Sequence, residues 1–345
     1  MTASVPAEKL ALLGASGGTH IGGSFVRSAA KLGIESIWFD ADKASAGSRL
    51  LRSLCWHLVD RRPPHLSQFS SELAKCCGQT KPEILIATGM APLTEFALRA
   101  LRQMGIVCVN YSTDDPWNPA MRSRWHLRAL PLYDIVFSTR RSNLKDFQRL
   151  GCPEVHYLPF GYDETLFVPT VQSSHTPVHD ILFVGGADAD RAAFLTEFTR
   201  RGLPIAVAGG YWERYSAFRA YALGIKSPEL ICALTAAAKV NLCLVRRANR
   251  DGHVMRSFEI AAAGGCMLAQ DTDEHREIFG REDEAVVYFR DAKEAAQRAR
   301  ELLCDSSERW RLAVNLHRRI VGSAHTYAHR LSTMLRVASG CVRAR

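Results

Sequence analysis

The stretch Asn249-Arg-Asp-Gly-His-Val-Met-Arg-Ser-Phe-Glu-Ile-Ala-Ala-Ala-Gly-Gly-Cys-Met-Leu-Ala-Gln-Asp-Thr-Asp-Glu274 decides the reading of this chain. Residues 260–265 are small, apolar and helix-forming until two glycines stop them, which places Glu259 near a helix N-terminus. Residues 266–269 read as a short buried strand, and residues 270–274 as the loop at its carboxyl end, where open α/β sheets bind ligands. Asp251 and Glu259 stand with seven residues between them, so two acids and a helix start converge on one crevice. Backbone amides at a helix start suit a pyrophosphate, and a carboxylate nearby can accept from the hydroxyls of a ribose or a hexose. Spacing alone equally allows Asp251 to be a loop acid and Glu259 to cap its own helix.

Outward from this stretch, apolar runs alternate with helical patterns. In the first half, residues 9–14 read as a strand, 23–32 as a helix and 36–39 as a second strand, with further strands at 84–87, 106–110, 135–138 and 156–158. The second half restarts at 179–186 with a strand running into Gly185 and Gly186, followed by strands at 204–210 and 240–245. Strands that alternate with helices imply parallel sheets. Residues 291–303 and 306–337 read as closing helices, and the polar, turn-rich segment 170–177 as a hinge.

The Arg256-Ser-Phe-Glu-Ile-Ala-Ala-Ala-Gly-Gly run, the Asp271-Thr-Asp-Glu-His run and Phe279-Gly resemble the C-terminal half of the CgeB-like (spore-maturation-protein-like) glycosyltransferases. These are relatives of glycosyltransferase family 4, whose pattern is an acid, seven residues, a Glu, then Ala and Gly; Asp251 stands where many relatives carry Glu. The segment from Leu158 to Pro169 looks like the one that closes the first domain in family 4. The resemblance implies an α/β fold of the glycosyltransferase B type, with two Rossmann-like domains facing across a cleft. On that reading residues 1–170 form the acceptor-side domain and 178–325 the nucleotide-sugar side, with 326–345 a helix and tail crossing back to the first domain.

The function implied is metal-independent transfer of a sugar from a nucleotide diphosphate sugar to a saccharide, lipid-linked or protein acceptor. Family 4 relatives retain the anomeric configuration; no residue here decides it. Glu259 would hold the ribose and Asp251 the donor sugar. Arg191 and the amides around Gly185 and Gly186 would take the pyrophosphate, with Arg256 and Ser257 within reach of phosphate and Glu274 in the donor loop. The diphosphate leaving group gains charge in the transition state, so a cation beside it acts on rate more than on binding.

Two loops in the first half carry candidates for the acceptor side. Asp114 and Asp115, in Tyr111-Ser-Thr-Asp-Asp-Pro-Trp117, follow a strand directly and can serve as a base, bind acceptor hydroxyls, or simply form a turn before proline. A similar Asp-Asp-Pro segment recurs in the CgeB-like group. The loop from Gly14 through Gly17, Gly18 and Thr19 to His20 can bring backbone close to phosphates or to the acceptor. The rival reading makes this loop a nicotinamide site of a sugar-nucleotide oxidoreductase or epimerase. His20 replaces the third fingerprint glycine, and no Tyr-x-x-x-Lys pair occurs to carry that proton transfer. A third reading is a non-catalytic binding protein of the same fold.

Length and composition set the frame. The 345 residues suit two domains, and 47% hydrophobic with 23% charged residues is ordinary for a globular protein. Neither a signal peptide pattern nor a long apolar run is present, so the sequence predicts a cytoplasmic protein, with peripheral contact at the inner membrane face as an option. The ten cysteines form no Cys-x-x-Cys pair and several lie within apolar runs, which reads as reduced core thiols. The net charge of +9 is arginine-rich, with nine lysines among 44 basic residues, and suits anionic partners. Its densest cluster, Met121-Arg-Ser-Arg-Trp-His-Leu-Arg128, fits either a solvated helix face or a membrane surface. No helix-turn-helix, finger or RNA-binding pattern points to nucleic acid.

Overall fold

In the computed structural model, described here for residues 9–17, 20–169 and 178–343, the apolar runs become twelve parallel strands in two six-stranded sheets. Gly18, Thr19 and the expected hinge at 170–177 lie outside the described residues. The chain divides into two compact units: Met1–Pro159 with Arg247–Asp251 and Tyr327–Arg345, and Phe160–Arg246 with Gly252–Thr326.

The strands of unit 1 are β1 (Leu10–Gly14), β2 (Ser36–Asp40), β3 (Ile84–Thr88), β4 (Val107–Ser112), β5 (Ile135–Ser138) and β6 (Glu154–Tyr157), in the order β2-β1-β3-β4-β5-β6. Parallel pairing buries both faces, which is why β1, β3, β4 and β5 are near-continuous apolar runs. Helices α1 (Ile21–Lys31), α2 (Arg49–Leu58), α3 (Leu66–Thr80), α4 (Glu95–Gln103), α5 (Arg124–Ala129) and α6 (Leu144–Leu150) connect them. Leu13, Leu85, Cys108, Val136, Leu98 and Phe147 form part of one core beneath the helices on one face. The strand order changes direction between β1 and β3, the point at whose carboxyl edge doubly wound sheets hold ligands. The Gly14 loop leaves from there.

Unit 2 repeats the architecture with β7 (His179–Val184), β8 (Ile205–Ala208), β9 (Ala222–Gly224), β10 (Ala238–Cys243), β11 (Met267–Gln270) and β12 (Val287–Phe289). Its helices are α7 (Ala189–Arg200), α8 (Pro228–Ala237), α9 (Met255–Ala262), α10 (Asp273–Phe279), α11 (Ala292–Cys304) and α12 (Ser306–Val321). The order β12-β11-β10-β7-β8-β9 is that of a dinucleotide-binding Rossmann sheet, and its direction changes between β7 and β10. Gly185 and Gly186 therefore leave the sheet at its switch point. The last helix, α13 (Tyr327–Arg343), belongs to unit 1, where Tyr327 meets Phe25 of α1 edge to face at 5.5 Å.

One expected boundary is corrected. The helix carrying Glu259 starts at Met255, so Glu259 lies in its second turn and not at its N-terminus. Met255-Arg-Ser is helix-compatible, and Val254 before it offers no capping side chain of the usual kind, so the start carried no sequence signal.

Candidate functional site

Of the unit 2 candidates, Gly185, Gly186 and Arg191 lie at the carboxyl end of β7 and the first turn of α7, and Arg256, Ser257 and Glu259 in the first two turns of α9. Gly185 donates its amide to Ala208 O at 2.8 Å, and its carbonyl accepts from Trp212 Nε1 at 2.8 Å. This close approach needs Gly209, whose φ is +139° and where a Cβ would lie 2.3 Å from Gly185 O. Arg191 folds back over the same loop: Nη1 donates to Gly186 O at 2.9 Å, and the guanidinium stands 5.5 Å from the centre of the Phe183 ring. Asp188 caps α7 by accepting from Arg191 N at 2.9 Å, and lies 3.7 Å from Arg191 Nε. The expected phosphate cradle is thus narrower than its glycines suggest, because the Gly185 amide is already bonded to β8. What faces the switch point is a rigid glycine turn with a guanidinium held beside it.

On α9, Arg256 and Glu259 are one turn apart and form an ion pair, with side chains 13% and 4% exposed. Arg256 Nη1, Arg256 Nε and Glu259 Oε2 are buried, and none makes a hydrogen bond of ordinary geometry among the described residues. Burial raises the Glu259 carboxyl above its ordinary value, opposed by Arg256 and reinforced by Asp163. Apart from its contact with Arg256, Glu259 Oε2 meets no hydrogen-bond donor among the described residues, and a buried acceptor left unsatisfied is costly. Asp163 belongs to the Leu158–Pro169 segment but is not among the candidate site residues of the sequence. It is buried, accepts from Thr165 N and Oγ1 at 3.0 and 2.7 Å, and adds its negative charge near Glu259; its sequence signal is its place after Pro159 and Gly161 in the family 4-like segment.

Ser257 and Glu274, both expected on the donor, face inward. Ser257 is fully buried, with Oγ 2.9 Å from His275 Nε2 and 3.3 Å from Cys243 Sγ. Burial lowers His275 to about 4, so its ring is neutral at physiological pH. Glu274 lies in α10 with Oε2 2.7 Å from His253 Nδ1, and His253 Nε2 accepts from Phe160 N at 3.1 Å. The second bond fixes the tautomer, so Nδ1 carries the proton toward Glu274. These two residues fix the loop between β10 and α9.

Asp251 belongs to unit 1, whereas Glu259 belongs to unit 2. The Asp251 carboxylate pairs with Arg140 Nε, both side chains all but fully buried, and Arg140 also donates to Thr113 O at 2.6 Å and Thr139 Oγ1 at 3.1 Å. Asp115 is equally committed: it accepts from Arg250 Nε and Nη2 at 2.6 and 3.1 Å, from Trp117 N at 2.9 Å and from Asn143 Nδ2 at 2.9 Å. A carboxylate so encircled anchors its turn. The same bidentate pair raises Arg250, with Asp146 Oδ2 2.8 Å from its Nη1 adding to it. Asp114 is only half-buried, and its two long contacts, 3.4 Å each from Thr113 Oγ1 and Asn249 Nδ2, leave it the more available acid. His20 is exposed at the start of α1, with Gly17 O accepting from its amide at 3.1 Å. Gly17 is exposed too, so the described part of this loop is accessible. His20 and Asp114 follow β1 and β4 at the same sheet edge.

The arginine cluster at 121–128 runs into the short helix α5, with His126 and Ala129 buried, and with Arg122, before the helix, Arg124 and Arg128 exposed. It has no outward apolar face. Among the described residues no helix is long and apolar enough to cross a membrane.

Comparison with known proteins bears on the whole arrangement. Residues 191–336 match a family model described as glycosyl transferase-like. No curated protein matches in sequence. Among solved structures, sucrose-phosphate synthase from Thermosynechococcus elongatus is similar over 97% of this chain and all of its own, at 14% identity and TM-score 0.69. A UDP-forming trehalose-phosphate synthase from Burkholderia vietnamiensis covers 99% of this chain and all of its own, at 11% identity and TM-score 0.67. HepE from Anabaena, solved with UDP and glucose, covers 96% of this chain and all of its own, at 13% identity and TM-score 0.64. The likeness to these structures is one of fold, the two-domain glycosyltransferase B type, and residues 191–336, from Arg191 into α13, are similar to the glycosyl transferase-like family.

Proposed function

We propose that this chain transfers a sugar from a nucleoside diphosphate sugar to a hydroxyl-bearing acceptor, with the donor held by unit 2. The observation that carries the reading is the buried Arg256–Glu259 pair on α9, which lies within the glycosyl transferase-like segment and leaves polar atoms without ordinary hydrogen bonds. Glu259 accepts from the ribose hydroxyls, while Arg256, Arg191 and the Gly185-Gly186 turn meet the diphosphate. Cations held in place before reaction stabilise the developing charge of the leaving group without reorganising, so the reading needs no divalent metal.

Asp114 and His20 are the proposed acceptor-side groups, since both are accessible and Asp115 is not. Asp251 is assigned to holding Arg140, not to the donor sugar. UDP is the first donor base to test, because HepE was solved with it. The CgeB-like placement rests on the Arg256–Gly265, Asp271–His275 and Phe279-Gly280 motifs, and retention of the anomeric configuration rests on the likeness to family 4 alone. A thermal-shift screen against UDP, GDP, ADP, dTDP and CMP, with NAD and NADP alongside, tests the reading. A shift with a nucleoside diphosphate is expected; a shift with NAD or NADP alone would move the site to the Gly14 loop.

A further inference from the structure

Helix α2 (Arg49–Leu58) has no buried residue. It forms part of an excursion between β2 and α3 whose root is closed by His65 N donating to Ala44 O at 2.9 Å. Leu50, Leu51, Leu54 and Leu58 fall on one arc of the helix at i, i+1, i+4 and i+8, and are 84%, 38%, 52% and 75% exposed. Arg49, Arg52 and Trp56 occupy the opposite arc, and His57 borders the leucines. An outward face of four leucines on a helix that contributes nothing to its own core is not accounted for by folding.

The helix is nonetheless held firmly. Arg61, just beyond its end, donates to the carbonyls of Pro119, Ala120 and Arg122 at 3.0, 2.9 and 2.8 Å, and its guanidinium stands 5.9 Å from the Trp56 ring centre. Asp60 caps the start of α5, accepting from Arg124 N at 2.6 Å. Asp60 and Arg61 adopt φ of +54° and +57° to make this clamp. The clamp ties the leucine face to the neighbouring segment whose Arg122, Arg124 and Arg128 are exposed. Between Asp42 and Asp60 there is no acidic residue, while the helix itself carries Arg49 and Arg52.

We propose that α2 docks unit 1 on an anionic membrane surface, its leucines entering the acyl boundary and its arginines meeting headgroup phosphates. An acid-free basic helix with a leucine arc matches that surface in both charge and depth. A second copy of the chain would set the same arginines against each other. The excursion leaves from the carboxyl end of β2, the sheet edge that also carries His20 and Asp114. Under the transferase reading, docking there would bring a lipid-borne acceptor to that edge.

Flotation of the full chain with vesicles of phosphatidylcholine, with and without phosphatidylglycerol, tests this. The chain should float with the anionic vesicles, Leu54→Glu with Leu58→Glu should reduce that binding about tenfold or more, and Arg49→Ser with Arg52→Ser should remove the preference for anionic lipid. No association of the unaltered chain, or equal association of the leucine variant, overturns the proposal. So does an unaltered chain that ignores vesicles and forms a dimer that the leucine variant dissolves. UDP binding, measured in parallel, should be unchanged in the leucine variant; its loss in both proteins would count against the donor reading alone.

Discussion

At the scale of residues, the carboxylates of this chain sort by what surrounds them. Glu259 is a buried acid whose nearest cation is Arg256, and burial dominates its titration. Because its folded value lies above the ordinary 4.5, its contribution to stability is full below that pH and is lost as pH rises through the raised value. Glu259→Gln should therefore flatten the dependence of Tm on pH above 4.5 in the ligand-free protein, which thermal melts across a pH series would show. Asp251 is different in kind, because it is an ion-pair partner of Arg140, which is itself 1% exposed, and removing it breaks a buried pair. Asp251→Ala should cost about 3–5 kcal/mol in denaturant unfolding, and a change below about 1 kcal/mol would contradict the structural role given to it. The sequence shows the spacing of Asp251 and Glu259 but not these partners, since Arg140 is 111 positions away from Asp251. The same blindness applies to Asp115 and Arg250, 135 positions apart.

At the scale of elements, what could be read in advance followed from burial on both faces. Strands β3 and β5 announce themselves as apolar runs, whereas β9 and β12, three residues each at the sheet edges, are too short to stand out. Helix α2 escaped notice for the opposite reason: its leucine arc has helical spacing but packs on no core, so nothing else in the chain corroborates it. The start of α9 is not legible in the sequence because no side chain of the usual capping type marks it. The turn after β7 depends on an element distant in sequence, since only a glycine at 209 lets β8 approach Gly185 O. Gly209→Ala should destabilise the protein by at least about 1 kcal/mol and weaken nucleotide binding with it, because both the positive φ and the contact are denied. Unfolding and nucleotide titrations of one preparation would check the two effects together.

At the scale of the molecule, both units have doubly wound sheets, and each change in strand order marks a loop with glycines, Gly14 in unit 1 and Gly185 in unit 2. That repetition was visible in the sequence as two strand-to-glycine openings, whereas the strand orders themselves come only from the pairing. Unit 1 also depends on the last helix of the chain, where Leu331, Met334 and Leu335 are buried. Three such side chains contribute about 5–9 kcal/mol on burial, comparable to the whole stability of a typical domain. A chain ending before Tyr327 should therefore fail to fold unit 1, and a truncated protein with a native-like cooperative melt would contradict this. Glu259 and Arg256 belong to unit 2, so nucleotide recognition should survive changes to Asp114 or His20 that abolish transfer. The most direct test is calorimetric titration of UDP into the intact chain and into Glu259→Gln at neutral pH. Saturable binding that weakens about tenfold or more in the folded variant is expected, a charge-assisted hydrogen bond being worth about 1.5–3 kcal/mol; equal affinity in the two proteins would remove Glu259 from the donor site and the donor site from α9.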